Sequence, residues 1–205
     1  LRIQNDDFSG KNGETLKAYL DYEDYPGKIV LLGMGDAEKL STHNVREAVA
    51  SAIKKIKKHK LSAISIYLPP VLNVHLQTIA EALELANYNP AKFLSGKQKE
   101  EVESEDIKTV YLISAETNKK NLKKYNEEIA KGLAIGDSVN DVRDLVNAPH
   151  NKMHTDTMVE NAKEIAKFEK LKIQVLDEKQ LAELGMGAFL GVSGASEHSP
   201  KMVVL

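Results

Sequence analysis

The sequence predicts an α/β fold with a mostly parallel sheet, followed by a long helix and the start of a second α/β unit. Three observations predict it. Short apolar runs, Lys28-Ile-Val-Leu-Leu-Gly33, Ala63-Ile-Ser-Ile-Tyr-Leu68 and Ile107-Lys-Thr-Val-Tyr-Leu-Ile113, recur along the chain. Segments with helical periodicity separate them, which is the alternation of helices layered on a sheet. Near residue 147 a long helical pattern stops at a polar turn, and strand–helix alternation then resumes.

Residues 14–20 alternate loosely and predict a strand, and Pro26-Gly27 marks a turn. The uninterrupted apolar run that follows Lys28 fits a strand buried on both faces. Ser41 or Thr42 is placed to cap a helix whose stripe is Val45, Ala48, Val49, Ala52, Ile53 and Ile56. After the strand at 63–68, Pro69-Pro70 forces a stop, and Leu76, Ile79, Ala80 and Leu83 form the next stripe. Residues 95–106 are so polar and charged that a solvated loop is expected. The long helix is expected from about Lys119 to Val146, with Leu122, Tyr125, Ile129, Leu133, Gly136, Val139 and Leu145 as its apolar and small positions.

Asn147 suits a helix end, Pro149 cannot continue one, and Thr155 can cap the next. A helix over 156–168, a strand over 172–176, a short helix ending at Gly185 and a final strand from Met202 complete the pattern. The domain expectation is 1–118, a connecting helix over 119–147, and 148–205. Because Lys201-Met-Val-Val-Leu205 reads as a strand without its turn, the chain is expected to be a piece of a longer one.

Composition narrows the function. Of 205 residues, 42% are hydrophobic and 28% charged, with a formal net charge of -2, which gives no reason to expect a polyanion partner. Cysteine is absent, so disulfides and thiolate metal sites are excluded. No apolar run approaches the ~20 residues that span a bilayer. The charged start, Leu1-Arg-Ile-Gln-Asn-Asp-Asp, lacks an apolar core, so no signal peptide is expected in these residues.

Several short motifs invite chemistry and do not sustain it. Gly33-Met34-Gly35 follows a strand, but Glu38 stands where a dinucleotide loop needs its third glycine, so a glycine turn is expected. His150 and His154 are four apart, yet Asn151 replaces the glutamate of a zinc-peptidase helix and Pro149 opposes helix there, so a polar turn is expected. His43, His59, His75 and His198 are scattered singly. Lys54, Lys55, Lys57, Lys58 and Lys60 surround His59 without interleaved aromatics, which suits the end of a helix better than a nucleic-acid contact. Gly191-Val-Ser-Gly-Ala195 misses a nucleophile elbow at Ala195. The paired carboxylates Asp6-Asp7, Glu100-Glu101 and Glu127-Glu128 lie in polar stretches and read as solvated faces. No catalytic, cofactor-binding or metal-ligating residue is expected within the chain.

One resemblance goes further. Arg143-Asp144-Leu145-Val146-Asn147-Ala148-Pro149-His150-Asn151, followed by Thr155, resembles the N-P-x-N junction of the cytosolic leucine aminopeptidase family. Val175 to Glu197 is similar to the segment that family carries just before its metal site, which implies that Gly191 to Ala195 form a glycine-serine loop between two strands. The resemblance implies a macro-like N-terminal domain, a connecting helix and the opening of a catalytic peptidase domain. It further implies an intact enzyme that removes N-terminal amino acids, often leucine, from peptides. Two divalent metals, zinc or manganese, would activate water and polarise the carbonyl, with bicarbonate as proton shuttle. The metal-binding lysine and carboxylates of the family follow the strand at which this sequence stops, so none maps onto residues 1–205. A cytoplasmic homo-hexamer acting on peptides, without membrane or nucleic-acid partners, is implied as well. The rival expectation is a non-catalytic macro-like module that binds a nucleotide or nucleic acid.

Overall fold

The computed structural model describes residues 8–20, 27–115 and 118–205. The chain divides into two compact units, Leu1–Asp144 and Leu145–Leu205.

In the first unit, β1 (Thr15–Leu20) and β2 (Gly27–Leu32) pair antiparallel, Lys17 opposite Val30. Helix α1 (Thr42–Lys57) starts where Ser41 Oγ accepts the amide of Asn44 at 3.2 Å, the cap expected from the sequence. Strand β3 (Ala63–Leu68) leads through a 3₁₀ stretch, Pro70–His75, into α2 (Leu76–Asn87). A short helix α3 (Gly96–Glu103) precedes β4 (Thr109–Ser114), which pairs parallel with β3. Helix α4 (Lys119–Asn147) runs from this unit into the next.

The core forms where the stripes of α1 and α2 meet. Val45, Val49 and Ile53 join Leu76, Ile79 and Leu83, with Leu68, Leu72 and Ile107 closing the cluster. Each such side chain contributes about 1.5–3 kcal/mol through removal from water. Bidentate pairing of Arg46 with Glu81, both bonds 3.1 Å, ties the same two helices at their rim. Tyr125 and Ile129 bring α4 onto this core. A polar ladder continues the contact: Asn140 Nδ2 donates to the Glu84 carbonyl at 3.3 Å, Arg143 to the Leu85 carbonyl at 2.9 Å, and the Tyr88 hydroxyl to Asp144 at 2.8 Å.

Glu84 sits in that ladder at a cost. Burial first, then the neighbouring Asp137 carboxylate, hold its pKa above the ordinary value. A carboxyl whose folded pKa is raised adds stability in acid, below its unfolded value of about 4.3. That contribution is lost as pH rises through the folded pKa. Glu84→Gln keeps the oxygen that accepts from Asn140 and removes the charge. It is expected to raise the urea midpoint near neutral pH, with the gain shrinking to nothing in acid, as paired unfolding curves at the two pH values would show.

The second unit contains α5 (Thr155–Glu169), β5 (Gln174–Leu176), α6 (Glu178–Glu183), α7 (Gly187–Ser193) and β6 (Met202–Val204). Strands β5 and β6 pair antiparallel, Val175 opposite Val203. Asp177 and Gln180 form a reciprocal capping box on α6, both bonds 3.0 Å.

Four expectations are corrected. The structure is mixed α/β, but a mostly parallel sheet is not found among the described residues, where one of three strand pairs is parallel. The link between β1 and β2 is too short to supply the crossover of a dozen or more residues that parallel neighbours need. Residues 96–103 are helical rather than loop, because Lys, Gln and Glu are good helix formers and Lys99 pairs with Glu103 one turn on. The glycine-rich stretch read as a loop holds α7. Finally, His154 occupies the cap position of α5, while Thr155 lies inside the helix with its hydroxyl oxygen buried. No helix among the described residues is long and apolar enough to cross a membrane.

Candidate functional site

The first unit contains an apolar cleft of about 750 Å³. Consecutive residues of β2, Lys28–Leu32, and of β3, Ala63–Leu68, line it. Since neighbouring side chains of a strand point to opposite faces, lining by every residue means the cleft runs along the strand edges. Its floor is the apolar side of α1, with Val49, Ala52, Ile53 and Ile56. Lys17 and Lys28 supply its positive charge, and Lys17 foremost, then burial, then Lys28 depress the His59 pKa, which disfavours the charged imidazole. The lining is mostly apolar, so the cleft is suited to apolar contact.

Gly33 and Gly35 lie beside the cleft and are already committed. The Gly33 amide donates to the Glu14 carbonyl at 2.8 Å and the Gly35 amide to the Gly10 carbonyl at 2.9 Å. A Cβ on Gly33 would stand 2.2 Å from the Lys11 carbonyl oxygen. These glycines stitch two loops together and leave neither amide for a phosphate, and helix α1 starts only at Thr42. This geometry supports the glycine-turn expectation over a nucleotide loop.

The lysine cluster divides by role. Lys57 is buried at 8% exposure, and its ammonium donates to the Asn87 carbonyl at 2.8 Å and, longer, to the Tyr88 carbonyl at 3.4 Å. It therefore closes the C-terminal end of α2, a role hidden in the sequence among similar neighbours. Lys55 reaches Thr15 Oγ1 at 3.0 Å, binding α1 to β1. Among the carboxylate pairs, Glu100, Glu101 and Glu127 are exposed, Glu128 pairs with Lys131 at 2.9 Å, and Asp6-Asp7 lies outside the described residues.

In the second unit, Ser193 lies in α7 and its hydroxyl donates to the Leu190 carbonyl at 2.9 Å, so it is no activated nucleophile. The histidines are grouped differently from their spacing in sequence. His154 is brought together not with His150 but with His198 and Asp156. One ligand atom from each of the three lies within 4.8 Å of the others. The His154 and His198 rings stack at 4.4 Å between centroids and 9° between planes. The sequence pairs His154 with His150 and leaves His198 as a scattered single histidine, so it carries no signal for this group.

Comparison with known proteins bears on both units. A model of the N-terminal domain of the cytosol aminopeptidase family matches residues 2–97, and a model of the catalytic domain of the same family matches residues 140–205. A probable cytosol aminopeptidase of Alkaliphilus metalliredigens (strain QYMF) is 31% identical over 215 residues, covering 99% of this chain and 41% of that protein. Another, from Nostoc punctiforme (strain ATCC 29133 / PCC 73102), is 33% identical over 208 residues, covering 99% and 40%. The chain thus spans about 40% of the length of these curated relatives. Among solved structures, the bottromycin maturation enzyme BotP in complex with Mn is similar with a TM-score of 0.76 and 19% identity, covering 96% of this chain and 39% of that one. At that identity the likeness is one of fold.

Proposed function

The chain belongs to the cytosol aminopeptidase family, and on that premise we propose that it forms the N-terminal domain and the opening of the catalytic domain of a metal-dependent exopeptidase. The intact enzyme releases N-terminal amino acids, often leucine, from peptides. One observation carries this reading: the two domain models fall on the chain in order, and α4 reaches from the stretch between them into the second match. In this reading residues 1–118 are the macro-like domain, 119–147 the connector and 148–205 the catalytic opening. A cytoplasmic hexamer is the expected assembly.

Divalent metal use, with zinc or manganese as the ions and bicarbonate as a proton shuttle, belongs to the same proposal. The Mn complex of BotP supports the metal class. The described residues do not fit a two-metal centre. Two ions a few ångströms apart need shared carboxylates. Among the described residues the one cluster that assembles three potential ligands contains a single carboxylate, Asp156. As the family resemblance implies, the metal ligands are proposed to come from polypeptide outside residues 1–205, and no catalytic step is assigned within them.

The test is a pair of assays with leucine p-nitroanilide and Mn²⁺. The 205-residue chain is expected to give no turnover above buffer, while the polypeptide extended through the rest of the catalytic domain turns the substrate over. Turnover by the 205-residue chain would refute the assignment of the ligands. Failure of the extended protein on this and other aminoacyl substrates would refute the peptidase reading.

A further inference from the structure

The His154–Asp156–His198 group offers chemistry that the peptidase reading does not use. His154 stands at the N-terminal cap position of α5, Asp156 lies in the first turn of that helix, and His198 precedes β6. Two imidazole nitrogens and one carboxylate oxygen lie within 4.8 Å of one another. A second observation points to a ligand. His154 Nδ1 is buried and has no hydrogen-bond partner, while the opposite ring nitrogen, Nε2, lies 3.3 Å from Thr157 Oγ1. Leaving a buried polar atom unsatisfied is unfavourable, so a ligand that reached it would be held there.

We propose that His154, Asp156 and His198 bind a single borderline divalent cation of the zinc type. The donor set selects the class. Imidazole nitrogen suits Zn²⁺, Co²⁺ and Ni²⁺, whereas Ca²⁺ and Mg²⁺ take oxygen ligands. Three protein ligands leave a fourth position for water in a tetrahedral shell.

Two physical objections set the terms. With bonds of about 2.0–2.1 Å, neighbouring donors of a tetrahedral zinc site lie about 3.3 Å apart, so donors now within 4.8 Å of one another must tighten by up to about 1.5 Å. Asp156 and His198 are both exposed, and rotation of their side chains does not require the core to move. The amide end of α5 also disfavours a cation, and Asp156 is the charge that offsets it. The inference is independent of the peptidase reading and applies to the 205-residue chain whether or not the intact protein cleaves peptides.

Calorimetric titration of the 205-residue chain with Zn²⁺ tests it. One saturable site is expected. His198→Ala and Asp156→Asn should each weaken binding at least about tenfold with circular dichroism unchanged, since both side chains are exposed and loss of even an outer partner of a metal site costs 10–100-fold. His150→Ala should leave affinity unchanged. The proposal is overturned if no saturation occurs up to about 1 mM Zn²⁺, an interaction near 4 kcal/mol. It is overturned equally if His150→Ala weakens binding as much as His198→Ala, which would move the site to the pair spaced four apart.

Discussion

Gly132→Ala is expected to destabilise the first unit, although alanine is the better helix former. In an ordinary helix interior the change would gain about 1 kcal/mol. Here a Cβ on Gly132 would stand 2.2 Å from the Gln77 carbonyl oxygen and 2.8 Å from Ala80 Cβ. The first obstacle is backbone of α2, so the methyl can be admitted only by driving the helices apart, and overpacking of this kind costs about 1–3 kcal/mol. The net effect is a loss, larger for Gly132→Val. Gly136 makes the same approach one turn on, but there the obstacle is the Glu84 side chain, at 2.6 and 2.7 Å, which gives way more easily. Urea midpoints should therefore fall in the order Gly136→Ala, Gly132→Ala, Gly132→Val. Ala130→Gly, at an exposed position on the same helix, should show the ordinary glycine penalty of about 1 kcal/mol. A higher midpoint for Gly132→Ala than for the parent would mean that α4 does not pack on α2 at this distance.

The same glycine shows where the sequence was and was not legible. Regular stripes were. Val45, Val49 and Ile53, with Leu76, Ile79 and Leu83, stand out by spacing alone and are buried as expected. On α4 the apolar pattern misleads, because Leu133 and Val139 are exposed while Gly132 is buried. The signal that could have found the contact is the spacing of Gly132 and Gly136, which lets two backbones approach closely. Ile29–Leu32 reads as a strand covered on both faces, yet these residues are only half-buried beside the cleft. An apolar run records that burial is favourable and does not name the neighbour that provides it. Residues 96–103 fail for the converse reason, since polarity reports exposure and an exposed segment can still be helical. The histidine group was illegible because residues from α5 and from the approach to β6 meet only through tertiary structure.

The second unit is small enough for one side chain to decide its stability. At about 0.05–0.15 kcal/mol per residue, a segment of this length has roughly 3–9 kcal/mol of its own. Its buried apolar side chains are Val159, Ala166, Leu181 and Pro200, and Leu181 is the largest and fully enclosed. Leu181→Ala removes three heavy atoms and leaves a cavity, at a cost of about 2–5 kcal/mol. That loss consumes much of the unit's stability, whereas the first unit keeps its own core of α1 and α2. Hydrogen exchange followed by mass spectrometry is expected to show amides of α5 and α6 losing most of their protection in Leu181→Ala, with those of α1 and α2 unchanged. Leu184→Ala, at a position 62% exposed, should stay within about 0.5 kcal/mol of the parent. If both units lost protection together, folding would be one cooperative event and the division at Asp144 would have no energetic meaning. If Leu181→Ala matched Leu184→Ala, the second unit would be held by something other than its buried leucine, and the capping box at Asp177 and Gln180 would be the next contact to remove.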